Sequence, residues 1–266
     1  MRTRPLLLWL LAAPLFLVAQ TPDELLDQAI ADGKRSYAEM EQGFTKVLGM
    51  ELAPETRLRA LMMRGAARQA RGDLAGALTD FGDAIKLHPD DARCHYYRAQ
   101  ALRQEGRLDE AERDYRKAVE LAPKVADAWF GLGEIKTAQH DWADAITHYT
   151  KAIELKPDQS LAYARRATAR ANSGDEPGAI ADMDTVIGLF PKDAELHYYR
   201  GVLKNHRGSV EGSKAALVDF DRAIELAPDR PRFYRDRANC RSLLGDSEGA
   251  AADVAKFNEL ARSGRK

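Results

Sequence analysis

Apolar and small side chains recur along this chain at intervals of three and four residues, the spacing that places them on one face of an α-helix. Ala111, Tyr115 and Ala118 show this interval. The same order, a small residue followed by larger or apolar residues, returns in five further segments. The pattern predicts a series of amphipathic helices, in which each of these segments forms the second helix of a hairpin.

Prolines mark the period of the pattern. Pro89, Pro123, Pro157 and Pro191 lie 34 residues apart, and each stops one helix before the next begins. A fixed period of this length indicates a repeat architecture in which neighbouring units bury each other's apolar faces. We expect an all-α fold of antiparallel helix hairpins in six repeats: 58–91, 92–125, 126–159, 160–193, 194–230 and 231–264.

The turns and contacts inside the hairpins can also be predicted. Gly72, Gly174 and Gly245 supply residues able to adopt positive φ where first helices end, and an Asp follows each of them as a cap. His140 replaces this glycine in the third repeat at some cost in backbone energy. The eighth position of every repeat is small, which predicts close helix packing: Gly65, Ala99, Gly133, Ala167, Gly201 and Ala238.

The chain before the repeats has two parts. Residues 1–19 combine Arg2 and Arg4 with an apolar run over residues 6–18, too short to span a bilayer as a helix but typical of a secretory signal peptide. We expect cleavage near Ala19 and export, to a bacterial periplasm or beyond, or a membrane anchor if the segment is not cleaved. Residues 20–57 predict a degenerate helical repeat that ends at Pro54. It has a helix through Ala31, a turn at Gly33, and a second helix with Tyr37, Met40, Phe44 and Val47 on one face.

The third repeat carries the most specific motif. Trp129, Leu132 and Gly133 open it, and Ala145, Tyr149, Ala152 and Pro157 follow at fixed offsets. In these residues and in its 34-residue period, the chain resembles the tetratricopeptide repeat family. With the predicted signal peptide at residues 1–19, it resembles an exported bacterial member of that family. The resemblance implies a right-handed α-solenoid. One departure is systematic: the aromatic residue expected at the eleventh position is replaced by Arg68, Leu102, Lys136, Arg170, Lys204 and Arg241.

A second departure concerns the seventh position, where the family favours Leu. Five repeats have Arg there, and the same five have Asp at the twenty-third position, counted without the three-residue insertion of the fifth repeat. The third repeat instead has Leu132 and His148. An unpaired charge in a partly buried site costs about 3–5 kcal/mol, so we expect ion pairs between the two helices. The expected pairs are Arg64 with Asp80, Arg98 with Asp114, Arg166 with Asp182, Arg200 with Asp219 and Arg237 with Asp253.

The resemblance further implies that first helices line a concave face. The residues expected to bind a partner there are Arg93, Tyr96, Tyr97, Gln100, Phe130, Glu134, Arg165, Tyr198 and Tyr199. Tyr and Arg provide area and directed hydrogen bonds at interfaces. The alternative is that half of these tyrosines pack between repeats. Some relatives hold a C-terminal carboxylate with Lys and Asn on these helices. Tyr96 and Gln100, or Phe130 and Glu134, stand in those places, so we do not expect such a clamp.

The composition mainly argues against certain kinds of partner and site. Forty Lys and Arg residues balance 41 Asp and Glu residues, which gives no indication of nucleic acid as a partner. Cys94 and Cys240 lie four repeats apart, too far for a disulfide. The six histidines show no metal-ligand spacing, and no catalytic motif is present. We expect no metal, no cofactor and no enzymatic activity.

These observations favour a scaffold that binds another protein or peptide in the bacterial envelope. Two alternatives stay open: an accessory protein for a small ligand or a cell-wall fragment, and a structural protein that assembles with itself through uncapped terminal helices. No transmembrane span is expected in the mature chain.

Overall fold

A computed structural model describes residues 21–31, 36–206 and 208–263. All regular structure in these ranges is α-helical, and consecutive helices pack against each other within each of two compact units. This confirms the predicted all-α class. One compact unit ends at Leu87 and the other begins at His88. The predicted signal segment and Gly33 lie outside the described residues.

The first compact unit contains α1 (Pro22–Ala31), α2 (Tyr37–Leu48), α3 (Pro54–Ala70) and α4 (Leu74–Leu87). Phe44 and Val47 are buried and Met40 is packed against them, as the spacing predicts. Tyr37 was placed on the wrong face, because it is 55% exposed. It opens α2 directly after the Ser36 capping box, where its side chain has no neighbouring turn to pack on. Pro54 begins α3 and does not close the preceding unit, since proline fits the first turn of a helix.

The second compact unit contains ten described helices in five hairpins. They are α5 (Ala92–Gln104), α6 (Leu108–Leu121), α7 (Ala126–Ala138), α8 (Trp142–Leu155), α9 (Ser160–Ser173), α10 (Glu176–Leu189), α11 (Ala194–Lys204), α12 (Val210–Leu226), α13 (Pro231–Leu243) and α14 (Ser247–Ser263). Odd-numbered helices are the first helices of the repeats, and even-numbered helices are the second.

The core between hairpins is built from the predicted positions. Tyr115, Tyr149, Met183 and Phe220, at the twenty-fourth position, are at most 3% exposed. Glycines make room for these rings, since a Cβ on Gly131 would lie 2.5 Å from the Tyr115 ring. Val254 is the matching residue of the last repeat and is 47% exposed. Within the described residues, the face of α14 that carries Val254 is therefore open.

Both cysteines are free and buried, as predicted. Burial raises the pKa of the Cys94 thiol to about 11 and also raises the pKa of Cys240. Because the thiolate is the reactive form, both side chains act as small buried apolar groups.

The turns between first and second helices have the predicted conformation. Gly72, Gly174 and Gly245 have φ values of 84°, 89° and 84°. The Asp after Gly174 accepts a hydrogen bond from the Gly178 amide at 3.0 Å. His140 takes up the same conformation with φ of 59°, which is strained for a residue with a Cβ.

We expect His140→Gly to stabilise the protein by about 1 kcal/mol, because it removes this strain at a small cost in unfolded-chain entropy. Thermal unfolding should show a Tm about 2–4 °C higher. Gly174→Ala is the matched control and should lower Tm. An unchanged or lower Tm for His140→Gly contradicts the interpretation.

Candidate partner-binding face

Buried ion pairs hold the two helices in register in five of the six repeats. All five Arg–Asp pairs are formed, with closest N–O distances between 2.5 and 2.7 Å. Each Asp is at most 6% exposed. The guanidinium is bidentate in these pairs: Arg166, for example, donates through Nε and Nη2 to Asp182 at 3.0 and 2.6 Å. Bidentate geometry offsets part of the cost of desolvating the two charges.

A second cation, which was not predicted from the sequence, lies in this site. The residue at the eleventh position also contacts the buried Asp in four repeats. The contacts are Arg68 with Asp80 at 2.9 Å, Arg170 with Asp182 at 2.9 Å, Lys204 with Asp219 at 2.8 Å and Arg241 with Asp253 at 3.1 Å. In the second repeat Leu102 stands at this position, and His95 lies 3.4 Å from Asp114. The departure from the family's aromatic residue therefore has an electrostatic cause. In these four repeats a cationic residue at the eleventh position occurs together with Asp at the twenty-third, and this joint occurrence could have predicted the contact from the sequence.

The same arginines connect consecutive hairpins. Arg166 donates to Thr150 Oγ1 at 3.0 Å, Arg200 to Asp184 at 2.7 Å, and Arg237 lies 2.6 Å from an oxygen of Asp221. Each acceptor belongs to the second helix of the preceding repeat. Since one guanidinium binds both its own hairpin and the previous one, the first helices are fixed relative to their neighbours.

The third repeat uses a different network. Lys136 lies 2.9 Å from Glu112 of the preceding repeat, and Arg116 pairs with the same carboxylate at 2.7 Å. Burial acts to raise the pKa of Glu112, but the hydrogen bonds from Lys136 and Arg116 outweigh it and the pKa is lowered. Burial lowers the pKa of His148, and its Nδ1 has no hydrogen-bond partner among the described residues. The ring of His148 lies 5.7 Å, centroid to centroid, from the ring of Trp129. Because a neutral His148 needs no cationic partner, the seventh position of this repeat can be the apolar Leu132.

The fourth position of the repeats has a role that the sequence did not reveal. Its side chain bonds the carbonyl of the proline in the preceding loop in four repeats. The pairs are His95 with Pro89, Trp129 with Pro123, His197 with Pro191 and Tyr234 with Pro228, at 2.9–3.0 Å. In the two His-Tyr-Tyr-Arg segments, the His and the Arg therefore both hold the scaffold.

The predicted partner-binding residues separate by exposure. We call the surface formed by α5, α7, α9, α11 and α13 the first-helix face. Arg93, Tyr97, Arg165 and Tyr199 are exposed on it, and Tyr96, Gln100, Phe130 and Glu134 are half-buried. Phe130 packs on Tyr149, with ring centroids 5.5 Å apart.

Tyr198 is a wrong assignment, because it is only 6% exposed. Its ring stacks on Phe233 at 4.8 Å, and its hydroxyl donates to Asp236 at 2.6 Å. The Arg232 guanidinium lies 4.9 Å above the Tyr198 ring and pairs with Glu195. Tyr198 therefore joins α11 to α13, as the alternative reading of the tyrosines predicts. The exposed tyrosine of this segment is Tyr199, at 48%.

Tyr96 is intermediate between these two cases. Gln100 donates to its hydroxyl at 2.7 Å, and its ring lies edge-on to Tyr97 at 5.3 Å. Burial raises the pKa of Tyr96 well above its usual value, so the phenol stays neutral. Tyr96 supports Tyr97, and Tyr97 is the residue that meets solvent.

Three first helices meet at one carboxylate. Glu134 on α7 accepts a hydrogen bond from the buried Tyr149 hydroxyl at 2.8 Å. Arg165 on α9 approaches Glu134 Oε1 to 3.1 Å, and Arg103 on α5 approaches Oε2 to 3.9 Å. We call these three residues the Arg-Glu-Arg cluster. Glu134 and Arg165 are among the predicted partner-binding residues, and Arg103, at the twelfth position of its repeat, is expected from the sequence to face the same groove.

The described residues contain no group of three or more His, Cys, Asp or Glu side chains placed to hold a metal ion. None of the helices in the described ranges combines the length and apolar character needed to cross a membrane.

Comparison with known proteins agrees with the fold. A family model described as Tetratricopeptide repeat matches residues 62–126 and 106–160. A 97-residue segment is 31% identical to mouse Tetratricopeptide repeat protein 16, covering 35% of this chain and 13% of that protein. The chain thus spans a small part of this relative's length.

Solved structures match over a larger share. A tetratricopeptide repeat protein from Parabacteroides merdae superposes with a TM-score of 0.67 at 19% identity, covering 91% of this chain and 94% of the other. YrrB, described as a TPR protein with an unusual peptide-binding site, gives a TM-score of 0.58 at 22% identity, covering 70% of this chain and 93% of YrrB. At these identities the likeness concerns the fold.

Proposed function

Because this chain is a tetratricopeptide repeat protein, we propose that it binds a segment of another protein on its first-helix face and catalyses no reaction. The observation that carries the proposal is that some residues of that face hold the helices in place while others are exposed. Buried Arg–Asp pairs and proline-bound side chains fix the first helices, while Tyr97, Tyr199, Arg103 and Arg165 expose part of their side chains to solvent. A rigid wall with exposed Tyr and Arg suits peptide recognition, since little entropy is lost on binding.

The fold supports the proposal in a second way. Helix-hairpin repeats offer a long continuous surface and no deep enclosed site, which suits an extended peptide or a helix better than a small substrate. YrrB is described as having a peptide-binding site. That site is a property of YrrB, and for this chain it supports the proposal only through the shared fold.

The test is the double variant Tyr97→Ala with Tyr199→Ala. A partner captured with the wild-type protein is identified by mass spectrometry, purified and titrated against both proteins. Because exposed interface tyrosines often contribute 1–2 kcal/mol each, we expect binding to weaken about tenfold or more. Tyr37→Ala, a change at a tyrosine outside the first-helix face of the second compact unit, is the control. Unchanged binding by the double variant at an unchanged Tm contradicts the proposal.

We also propose that the protein works in the bacterial envelope after export, on the strength of the apolar segment at residues 6–18 behind Arg2 and Arg4. N-terminal sequencing of the exported protein should find Gln20 as the first residue. A chain that keeps Met1 and stays in the cytoplasmic fraction contradicts this part of the proposal.

A further inference from the structure

We propose that the partner segment carries an acidic side chain that binds between Arg103 and Arg165, at the Arg-Glu-Arg cluster. This inference rests on the proposed function and adds the chemistry of the partner to it. The cluster brings two guanidinium groups from α5 and α9 to one carboxylate on α7. It therefore holds one positive charge in excess.

The two guanidinium groups contact Glu134 at different distances. Arg165 Nε lies 3.1 Å from Glu134 Oε1, and the Tyr149 hydroxyl donates to that same oxygen at 2.8 Å. Arg103 comes no closer than 3.9 Å to Glu134, which is beyond hydrogen-bond distance. Arg103 also interacts with the hydroxyl of the buried Tyr115. A guanidinium has five N–H donors, so the half-exposed Arg103 still has donors for a further acceptor.

Exposure decides which charge a partner meets. The Arg103 and Arg165 side chains are 40% and 48% exposed, whereas the Glu134 side chain is 17% exposed. The negative charge lies beneath the positive charges, against the Tyr149 hydroxyl. An approaching segment therefore meets two half-exposed guanidinium groups, which favour a carboxylate with charge-assisted hydrogen bonds.

The positive region is local. Asp127 is exposed two helical turns before Glu134 on α7, about 10 Å along the axis, and its carboxylate accepts from the Gln159 amide at 3.3 Å. An acidic residue is therefore favoured at the cluster and disfavoured near the start of α7. This predicts one placed acidic side chain in the partner and not a generally acidic partner.

The exposed tyrosines indicate that the acid is a side chain within the segment and not its C-terminal carboxylate. Tyr97 is on α5, the first of the three helices that form the cluster. Tyr199 is on α11, the first helix of the repeat after the one that contains α9. A segment that contacts both tyrosines passes over α7 and α9, where the cluster lies. The acidic group then falls in its interior.

The experiment starts from an unbiased probe, a library of random peptides joined to phage through their C-termini, so that no free terminal carboxylate is present. Peptides selected on the purified protein should be enriched in Asp or Glu at one position. A selected peptide is then synthesised with a C-terminal amide and titrated by fluorescence anisotropy. Arg103→Gln with Arg165→Gln should weaken binding about tenfold, because charge-assisted hydrogen bonds are lost.

Glu134→Gln gives the opposite and more specific result. Removing the internal carboxylate leaves both guanidinium groups to the peptide, so binding should tighten about threefold or more. Glu154→Gln is the matched control, because it makes the same change of net charge at an exposed side chain on a second helix, α8, and it should leave binding unchanged. Melting temperatures of all variants check that the fold is kept.

The outcomes separate this inference from the proposed function. If no peptide is selected, or if binding survives Tyr97→Ala with Tyr199→Ala, the proposed function fails. If tyrosine-dependent peptides show no acidic position, or if the Arg and Glu134 variants leave their affinity unchanged, the function stands and the acidic partner is overturned. A peptide that binds with a free C-terminal carboxylate and loses binding when that carboxylate is amidated overturns the acidic side chain as well.

Discussion

Asp182→Ala should lower the free energy of unfolding by about 3–5 kcal/mol, which is the cost of breaking a buried ion pair by removing one partner. Asp182 is 3% exposed and lies between Arg166 at 2.6 Å and Arg170 at 2.9 Å. Its removal leaves two partly buried guanidinium groups without their buried carboxylate, and Arg170 keeps only the exposed Asp175 at 3.6 Å. Urea unfolding monitored by circular dichroism measures the change.

Asp184→Ala is the matched control, since Asp184 is two residues away but its side chain is 55% exposed. Its loss should cost about 1 kcal/mol or less. Adding Arg166→Leu and Arg170→Leu to Asp182→Ala should recover part of the lost stability, because no unpaired charge then remains. Changing Arg166 alone leaves Arg170 with only the longer contact to Asp175 and should recover less. Equal effects of Asp182→Ala and Asp184→Ala contradict a buried network.

Gly131→Ala should destabilise the protein by about 1–3 kcal/mol although alanine is the better helix former. The added methyl group would lie 2.5 Å from the ring of Tyr115, which is buried at 1% exposure. The contact joins α7 to the hairpin before it, so the variant tests how closely consecutive repeats pack. Thermal and urea unfolding both report the change.

Gly82→Ala provides the comparison for this prediction. Nothing lies within 4 Å of a Cβ at Gly82, which is in the interior of α4, so alanine there should stabilise by about 0.5–1 kcal/mol. Tyr115→Leu combined with Gly131→Ala should reduce the loss caused by the added methyl group. If both glycine variants stabilise the protein alike, the interpretation that Gly131 packs closely against Tyr115 is wrong.

Residues that act within one repeat were predictable from the sequence. The Arg and Asp of each ion pair occur or disappear together, and a charge inside a helix pair needs a partner close by. Turn glycines follow from the same local reasoning, since a positive φ at Gly174 is needed whichever hairpin comes next. His140 was correctly placed in this conformation because it occupies the glycine's place in the repeat.

Residues whose surroundings come from the next repeat were not predictable in this way. Tyr96 and Tyr198 occupy the same position in identical His-Tyr-Tyr-Arg segments, yet only Tyr198 is buried. Phe233 of the following repeat stacks on Tyr198, while the matching residue after Tyr96 is the small Ala128. The repeat pattern gives both tyrosines the same assignment, and only the neighbouring side chain distinguishes them.

The Arg-Glu-Arg cluster shows the same limit from the functional side. Arg103, Glu134 and Arg165 stand at the twelfth, ninth and sixth positions of three successive repeats, so no single repeat contains the site. Their meeting depends on the offset between consecutive first helices. That offset is set by the packing of large side chains such as Tyr149 against small ones, which a one-dimensional pattern does not specify.

Binding on the first-helix face is tested most directly by site-specific photocross-linking. A photoreactive phenylalanine analogue is placed at Tyr97 or Tyr199 on the first-helix face, or at Thr147, an exposed residue of the second helix α8. With a bound peptide or partner, the account predicts cross-links from Tyr97 and Tyr199 and none from Thr147. Cross-links from Thr147 with none from the two tyrosine positions would contradict it.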